Sequence, residues 1–156
     1  YEWDYETSFE NSNSLDTYGD GNYTIVAYVD DGHQDETTIW FGIPGTGEPI
    51  PQLVQRPVFT SFAHGAVLSS PVTIQWAPCT DPAANLIWVG LDSETDDQSY
   101  IFPVNATQLD EPLDLSPGRY DVGLGYGVWY ETRNADGIEF SCGKYSESDY
   151  EFTVVP

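Results

Sequence analysis

Short runs of alternating apolar and polar residues, separated by turn residues, recur along the chain and constrain its fold more than any other feature. In "PVTIQWA", Val72, Ile74 and Trp76 alternate with polar residues, which is typical of a strand with one buried face. Similar runs rich in β-branched and aromatic residues lie between Asn22 and Val155. No segment has sustained helical periodicity. The sequence therefore predicts an all-β fold of antiparallel strands.

Residues 57–156 contain most of these runs, at the spacing of an antiparallel β-sandwich. Two motifs, "SSPVTIQWAP" with an inward Trp76 and "LDLSPGRYDVGLGY", make this region resemble the fibronectin type III and immunoglobulin-like β-sandwich families. The resemblance implies that Tyr120 caps a corner, with its ring buried and its hydroxyl bonded to nearby backbone. It implies a fold and carries no function.

An internal repeat sets the expected domain organisation. "LDTYGDGNY", Leu15–Tyr23, resembles "LDLSPGRY", Leu113–Tyr120, at an offset of about a hundred residues, the length of one sandwich module. We expect residues 1–44 to be the C-terminal strands of a related module, with Tyr23 as a packed residue. Residues 45–56, rich in Pro and Gly, are expected to be a linker. Residues 57–156 would then form the complete sandwich domain.

Three arrangements of the N-terminal strands remain open. They could be the end of a module that is cut short, or they could fold back onto the sandwich of residues 57–156 and extend its sheet. They could also pair with strands of a neighbouring molecule, which would build a fibre. The expected partners are therefore neighbouring β-modules of the same or another chain, and a polysaccharide or a surface protein is a further candidate partner.

An insertion and two cysteines suggest where a site would lie. The second copy of the repeat has about fifteen extra residues before its last strand, and function tends to lie in such insertions. Cys79 and Cys142 match no metal or redox spacing, so we expect a disulfide that attaches this hairpin to the loop at Cys79. The residues expected at the hairpin tip as a ligand site are Trp129, Tyr130, Arg133 and Tyr145.

The charge balance limits the partners and the setting. The chain has 26 acidic and 4 basic residues, a net charge of -22. Nucleic acid and anionic membranes are unsuitable partners because their binding requires clustered Lys and Arg. No apolar run approaches the length of a membrane span. The charge and the expected disulfide favour an extracellular or cell-surface location, in a saline or calcium-rich medium.

Acidic clusters are candidate calcium sites, because calcium binds several converging carboxylate oxygens. None completes an EF-hand loop, and solvated hairpin tips are the alternative interpretation. No cofactor is required, and calcium is the one that the sequence allows. The candidate ligands are Asp92, Glu94, Asp96 and Asp97 in one cluster and Asp30, Asp31 and Asp35 in another. The sequons at Asn22 and Asn105 are candidate glycosylation sites.

Catalysis has little support, since His33 and His64 are the only histidines and no hydrolase, zinc-protease or nucleotide-binding motif is present. Trp40, Trp76 and Trp88 lie in alternating strands and are expected in the core.

We therefore expect a non-catalytic extracellular β-sandwich module with a structural or adhesive role. One alternative is a module that binds carbohydrate through the aromatic hairpin tip, with or without calcium. Another is a subunit of an extracellular fibre completed by strand exchange.

Overall fold

A computed structural model describes residues 20–28, 32–94, 97–135, 137 and 139–156. Over these residues the protein is all-β, with two sheets and no helix. The described part accordingly has no helix of the length and hydropathy needed to cross a membrane. The calcium candidates Asp30, Asp31 and Asp96 lie outside the described residues, as does the first part of the repeat "LDTYGDGNY".

The strands form a small and a large sheet. The strands are β1 (Gly21–Tyr28), β2 (Gln34–Phe41), β3 (Ala66–Ser69), β4 (Leu86–Asp92), β5 (Asp97–Pro103), β6 (Gly118–Arg133) and β7 (Glu139–Val155). β1 and β2 pair as an antiparallel hairpin, and the other strands form a sheet in the order β3-β7-β6-β4-β5. β3 is parallel to β7, whereas β4 is antiparallel to both β5 and β6.

The chain divides into two compact units, of which the first comprises Tyr1–Pro49 and Thr132–Phe140. In this unit Tyr23 packs edge-on against Phe41, with ring centroids 5.9 Å apart. Asn134 Nδ2 donates a hydrogen bond to Thr37 Oγ1 at 2.7 Å. Tyr23, expected to be packed like Tyr120, keeps 36% of its surface exposed, against 6% for Tyr120. A two-stranded sheet offers too little apolar surface to enclose such a ring.

The second unit comprises Ile50–Glu131 and Ser141–Pro156 and contains the hydrophobic core. The core lies between one face of the large sheet and three extended segments joined by isolated bridges. The bridges are Phe59↔Trp76, Gln75↔Gln108 and Val72↔Leu113. Trp76 is buried, as expected, and its Nε1 donates to the carbonyl of Ala106 at 2.9 Å.

Tyr120 stands at the start of β6, where the chain enters the large sheet. Its ring is buried and stacks on Phe152 with centroids 5.4 Å apart. Its hydroxyl donates to the carbonyl oxygen of Ser116 at 3.0 Å. This is the corner geometry that the family resemblance implies for Tyr120.

Removing only the corner hydroxyl tests its contribution. We expect Tyr120→Phe to lower the free energy of unfolding by about 1 kcal/mol, because the Ser116 carbonyl loses its donor while the ring stays packed. Urea unfolding followed by fluorescence measures the change. The matched control is Tyr150→Phe, since no hydrogen bond of the Tyr150 hydroxyl occurs within the described residues. Equal stability of the two variants would contradict a role for the corner bond.

The β6–β7 hairpin differs from the expected loop insertion. β6 and β7 have 16 and 17 residues, against 8 each in β1 and β2. Most of the extra length is therefore continuous strand, which satisfies its backbone groups by pairing. Only Thr132–Phe140, around the turn, groups with the first unit, whereas Trp129 and Tyr145 belong to the second. Those two aromatic residues therefore stand on the stem of the hairpin and not at its tip.

The expected disulfide is absent, because Cys79 and Cys142 are both thiols. Cys142 is buried within β7, and Cys79 lies in the loop after Trp76, at the edge of the core. Burial raises the pKa of the Cys79 thiol. Burial, followed by the nearby Cys79, raises the pKa of Tyr126 to about 12, and the Tyr126 hydroxyl donates to the carbonyl of Ala77. Cys79 and Cys142 therefore lie in different surroundings and are not bonded to each other.

Part of the expected linker is packed against the second unit. The boundary between the units falls after Pro49, and Ile50 is only 2% exposed. The buried carboxylate of Asp81 accepts hydrogen bonds from the backbone N–H of Val54 at 2.8 Å and of Gln55 at 3.3 Å. Residues 50–56 are therefore an ordered border of the second unit, although their composition is that of a spacer.

Candidate functional site

The face of the large sheet that points away from the core has three glycines along the middle of its central strand, β6. On β6 the core side presents Val122, Leu124, Tyr126 and Val128, all buried. The alternate positions Gly123, Gly125 and Gly127 fall on the opposite face. Together with Gly90 on β4 they leave a strip of bare backbone, which we call the glycine strip. The neighbouring strands fill part of this strip with aromatic rings.

Trp88 on β4 lies directly against the glycine strip. A Cβ added at Gly90 would stand 2.5 Å from Cζ2 of Trp88, and one added at Gly123 would stand 2.8 Å from its Cζ3. The indole therefore occupies space that any other residue at these positions would need. Its Nε1 donates to Ser99 Oγ at 2.7 Å, which fixes the ring in its plane. Trp88, expected in the core, lies half-buried on the outer face.

Trp129 and Tyr145 form a second aromatic contact on the same face. Their ring centroids are 5.8 Å apart with an interplanar angle of 45°. Tyr145 lies against Gly127 and Trp129 against Gly143, each closer than a Cβ would allow. The structure thus brings together two of the four predicted ligand-site residues.

The other two predicted ligand-site residues lie elsewhere. Tyr130 follows Trp129 in β6, so its side chain falls on the opposite face of the strand. Arg133 belongs to the first unit and forms an ion pair with Glu139 there. Tyr130 therefore does not share a face with Trp129, and a ligand role for the four residues stays a prediction.

A groove of about 440 Å³ runs beside Trp88 on the outer face. Gly90 and Gly123 contribute to its lining next to the indole, and acidic residues form its rim. The rim carboxylates are Asp92, Asp97, Asp121, Asp149 and Glu151. The groove therefore combines an apolar ring with many hydrogen-bond acceptors.

Three of the rim residues stand in register on adjacent strands. Asp92 on β4 pairs with Asp97 on β5 and with Asp121 on β6. Arg119 lies at one end of the groove, where it contacts Glu151 and, at 3.7 Å, Asp121. His64 Nε2 lies 3.7 Å from Glu151 Oε1. Within the described residues, Asp92, Asp97 and Asp149 make no ion pair.

The calcium predictions are placed only in part. Asp92 and Asp97 line the groove, Glu94 lies in the turn between β4 and β5, and Asp35 is exposed on β2. No group of three His, Cys, Asp or Glu side chains that could hold a metal ion occurs in the described part of the chain. In-register strands space carboxylates about 4.8 Å apart along a row, whereas calcium needs oxygens that converge on one point.

The sequon asparagines Asn22 and Asn105 are both exposed, on β1 and in the turn after β5. Their glycosylation stays a prediction.

Comparison with family models, with curated proteins and with solved structures gave no match. Functional inference for this chain therefore rests on the groove and its residues.

Trp88 was expected in the core, although its sequence context separates it from the core positions. In "LIWVGLD" the buried residues are Ile87, Val89 and Leu91, so the alternation places Trp88 and Gly90 on the other face. In "VGLGYGV" glycine occurs at every second position, which indicates a bare face on the neighbouring strand. Only the pairing of β4 with β6 shows that the two patterns meet.

Proposed function

We propose that the second unit is a non-catalytic β-sandwich module of immunoglobulin or fibronectin type III kind, with an adhesive role outside the cell. The sheet order β3-β7-β6-β4-β5 and the bridged segments around Trp76 support two facing layers. The bond from Tyr120 to Ser116 supports the same family, whereas the parallel pairing of β3 with β7 makes the large sheet mixed and not purely antiparallel. Neighbouring β-modules are its proposed structural partners.

The proposed ligand is a glycan bound in the groove beside Trp88. The observation that carries this proposal is the half-buried indole, held on the glycine strip next to a rim of carboxylates. A pyranose ring presents an apolar face of C–H groups that packs on an aromatic ring, and its hydroxyls donate hydrogen bonds to carboxylates. The groove of about 440 Å³ lies in the size range of sites for small ligands.

Removing the indole tests the proposal. We expect Trp88→Ala to weaken binding of the best glycan in an oligosaccharide panel by at least about tenfold, a loss of roughly 1.4 kcal/mol. Isothermal titration calorimetry measures the affinity, and quenching of tryptophan fluorescence gives a second readout. Gly90→Ala keeps the indole but moves it, because the new methyl group overlaps Cζ2, and it should weaken binding in the same direction.

Trp129→Ala is the matched control, because it removes an indole from the same face outside the groove lining. We expect it to leave the affinity within about twofold of the native value, a difference near 0.4 kcal/mol. Loss of binding in Trp129→Ala but not in Trp88→Ala would move the site to the Trp129–Tyr145 pair. If no glycan of the panel binds the native protein, the proposed function is wrong.

A fibre subunit is distinguished by mass. The isolated chain has a mass of 17.4 kDa, and self-assembly by strand exchange would give far larger particles in native mass measurements.

A further inference from the structure

We infer that the ligand of the groove is a glycan with free amino groups, an inference that rests on the proposed function. A polymer of glucosamine has the required chemistry, since each ring has hydroxyls, an apolar face and an amine that is protonated in mildly acidic solution. The charge distribution in the groove selects this class over neutral and acidic sugars.

The first step is the unfavourable charge arrangement of the empty groove. Asp92 has Asp97 directly opposite on one neighbouring strand and Asp121 directly opposite on the other. Like charges at directly opposed positions destabilise a sheet. Asp92 and Asp97 have no ion-pair partner within the described residues. A cation placed between them would relieve this repulsion.

Neutral, amino and acidic sugars would interact differently with these carboxylates. A neutral sugar would partly desolvate several carboxylates and offer only hydroxyl donors in return. An ammonium group offers charge-assisted hydrogen bonds, which are shorter and stronger than neutral ones. It is also attracted to the face of an indole, and Trp88 lies beside Gly90 within the same groove lining. A uronate or sulfate group would be repelled by the rim.

The third step favours a glycan over a basic peptide. The groove lies near one end of the strands of the large sheet, and there β4 is hydrogen-bonded on both sides, to β5 and to β6. The backbone of β4 is therefore already paired and cannot bind a peptide by strand addition, which supplies much of the affinity in that mode of recognition. Gly90, Gly123 and the Trp88 indole in the groove lining suit the apolar face of a sugar ring.

The experiment compares two oligosaccharides that differ only at the amino group. Glucosamine hexamer and its fully N-acetylated counterpart have the same rings and linkages, and both are titrated into the native chain at pH 6 and low salt. We expect the glucosamine hexamer to bind at least about tenfold tighter, and its affinity to fall as sodium chloride is raised.

Variants that each remove one negative charge test which carboxylates contribute to binding of the glucosamine hexamer. We expect Asp92→Asn and Asp97→Asn each to weaken binding of the glucosamine hexamer by about tenfold, without lowering the melting temperature, because each removes a like-charge contact. Asp110→Asn is the matched control: it removes the same charge from an exposed residue outside the groove lining. An equal loss in Asp110→Asn would show attraction to the net charge of -22 alone and would overturn the inference.

The remaining outcomes separate this inference from the proposed function. If both hexamers bind equally and Trp88→Ala weakens both, glycan binding stands and selection for amines is wrong. If a neutral oligosaccharide binds and the glucosamine hexamer does not, the inference also fails. If hexalysine binds tighter than the glucosamine hexamer and competes with it, the partner is a basic peptide and the inference is overturned. If neither hexamer nor any other glycan binds, both proposals fail.

Discussion

Replacing Trp76 by alanine is expected to lower the free energy of unfolding by about 3–5 kcal/mol, the usual range for removing a large buried aromatic residue. Trp76 is only 2% exposed and packs on Phe102 with ring centroids 5.5 Å apart. It also belongs to the bridged segments that cover the large sheet, through its pairing with Phe59. Its removal would leave a cavity in the core, and the carbonyl of Ala106 would lose the indole donor.

Urea unfolding of the native chain and of Trp76→Ala measures this loss. Trp76→Phe is the matched variant, since it keeps an aromatic ring in the core but removes the donor to Ala106. We expect it to retain most of the stability, with a deficit clearly smaller than that of Trp76→Ala. If Trp76→Ala lowers the free energy of unfolding by less than about 1 kcal/mol, the Trp76 side chain is not enclosed in the core. Substitutions at the protein surface typically have such small effects.

The second large effect is expected from Asp81. Its carboxylate is 8% exposed and accepts hydrogen bonds from the backbone N–H groups of Val54, Gln55 and Ala83. The bond from Val54 is the main cause that holds the pKa of Asp81 below its ordinary value; burial acts in the opposite direction, and bonds from Ala83 and Gln55 add to the lowering. We expect Asp81→Asn to lower the free energy of unfolding at neutral pH by about 2 kcal/mol, the scale of hydrogen bonds to a charged group.

The effect of Asp81 should depend on pH in a defined direction. Because the folded-state pKa is lowered, the stabilisation is fully present above the ordinary pKa of an aspartate, about 3.9, and is lost as pH falls through the folded value. The stability difference between the native chain and Asp81→Asn should therefore be constant near neutrality and shrink in strong acid. Unfolding by urea at a series of pH values measures the difference.

Acid also relieves the general repulsion among 26 acidic side chains, which acts in the opposite direction. Asp110→Asn supplies the reference, since it changes the net charge by the same amount at an exposed position. A difference between Asp81→Asn and Asp110→Asn that does not change with pH would show that the Asp81 carboxylate is not held in its charged form by the backbone donors.

The fold class follows from local patterns. Period-two alternation in "PVTIQWA" and "LIWVGLD" predicts strands with one buried face. The second run is in β4, whereas the first forms only isolated bridges, although Trp76 is buried as the pattern requires. The fold class can be predicted from the sequence because the side chains of a strand alternate between its two faces, whichever strand lies beside it. The burial of Tyr120 likewise belongs to a short motif, whose acceptor, Ser116, is only four residues away.

Predictions about contacts between distant parts of the chain were less accurate. A disulfide between Cys79 and Cys142 was the simplest use of two cysteines, but the folded chain places them as separate thiols. Residues 50–56 have the composition of a spacer, yet Asp81, far along the chain, holds Val54 and Gln55 against the second unit. Spacing and composition do not specify such contacts, because the partner is selected by the packing of the whole unit.

For the candidate site, too, some features can be read from the sequence and others depend on the tertiary structure. By itself the sequence determined an all-β chain. The alternation that separates Trp88 from Ile87 and Val89, and the glycine at every second residue of "VGLGYGV", are also present in the sequence, but Trp88 was expected in the core. Only the tertiary structure decided that β4 lies beside β6, so that Trp88 rests on the glycines and Asp92 faces Asp121. The physical reason is that alternation assigns a residue to a face, whereas strand order and register determine which residues of that face meet.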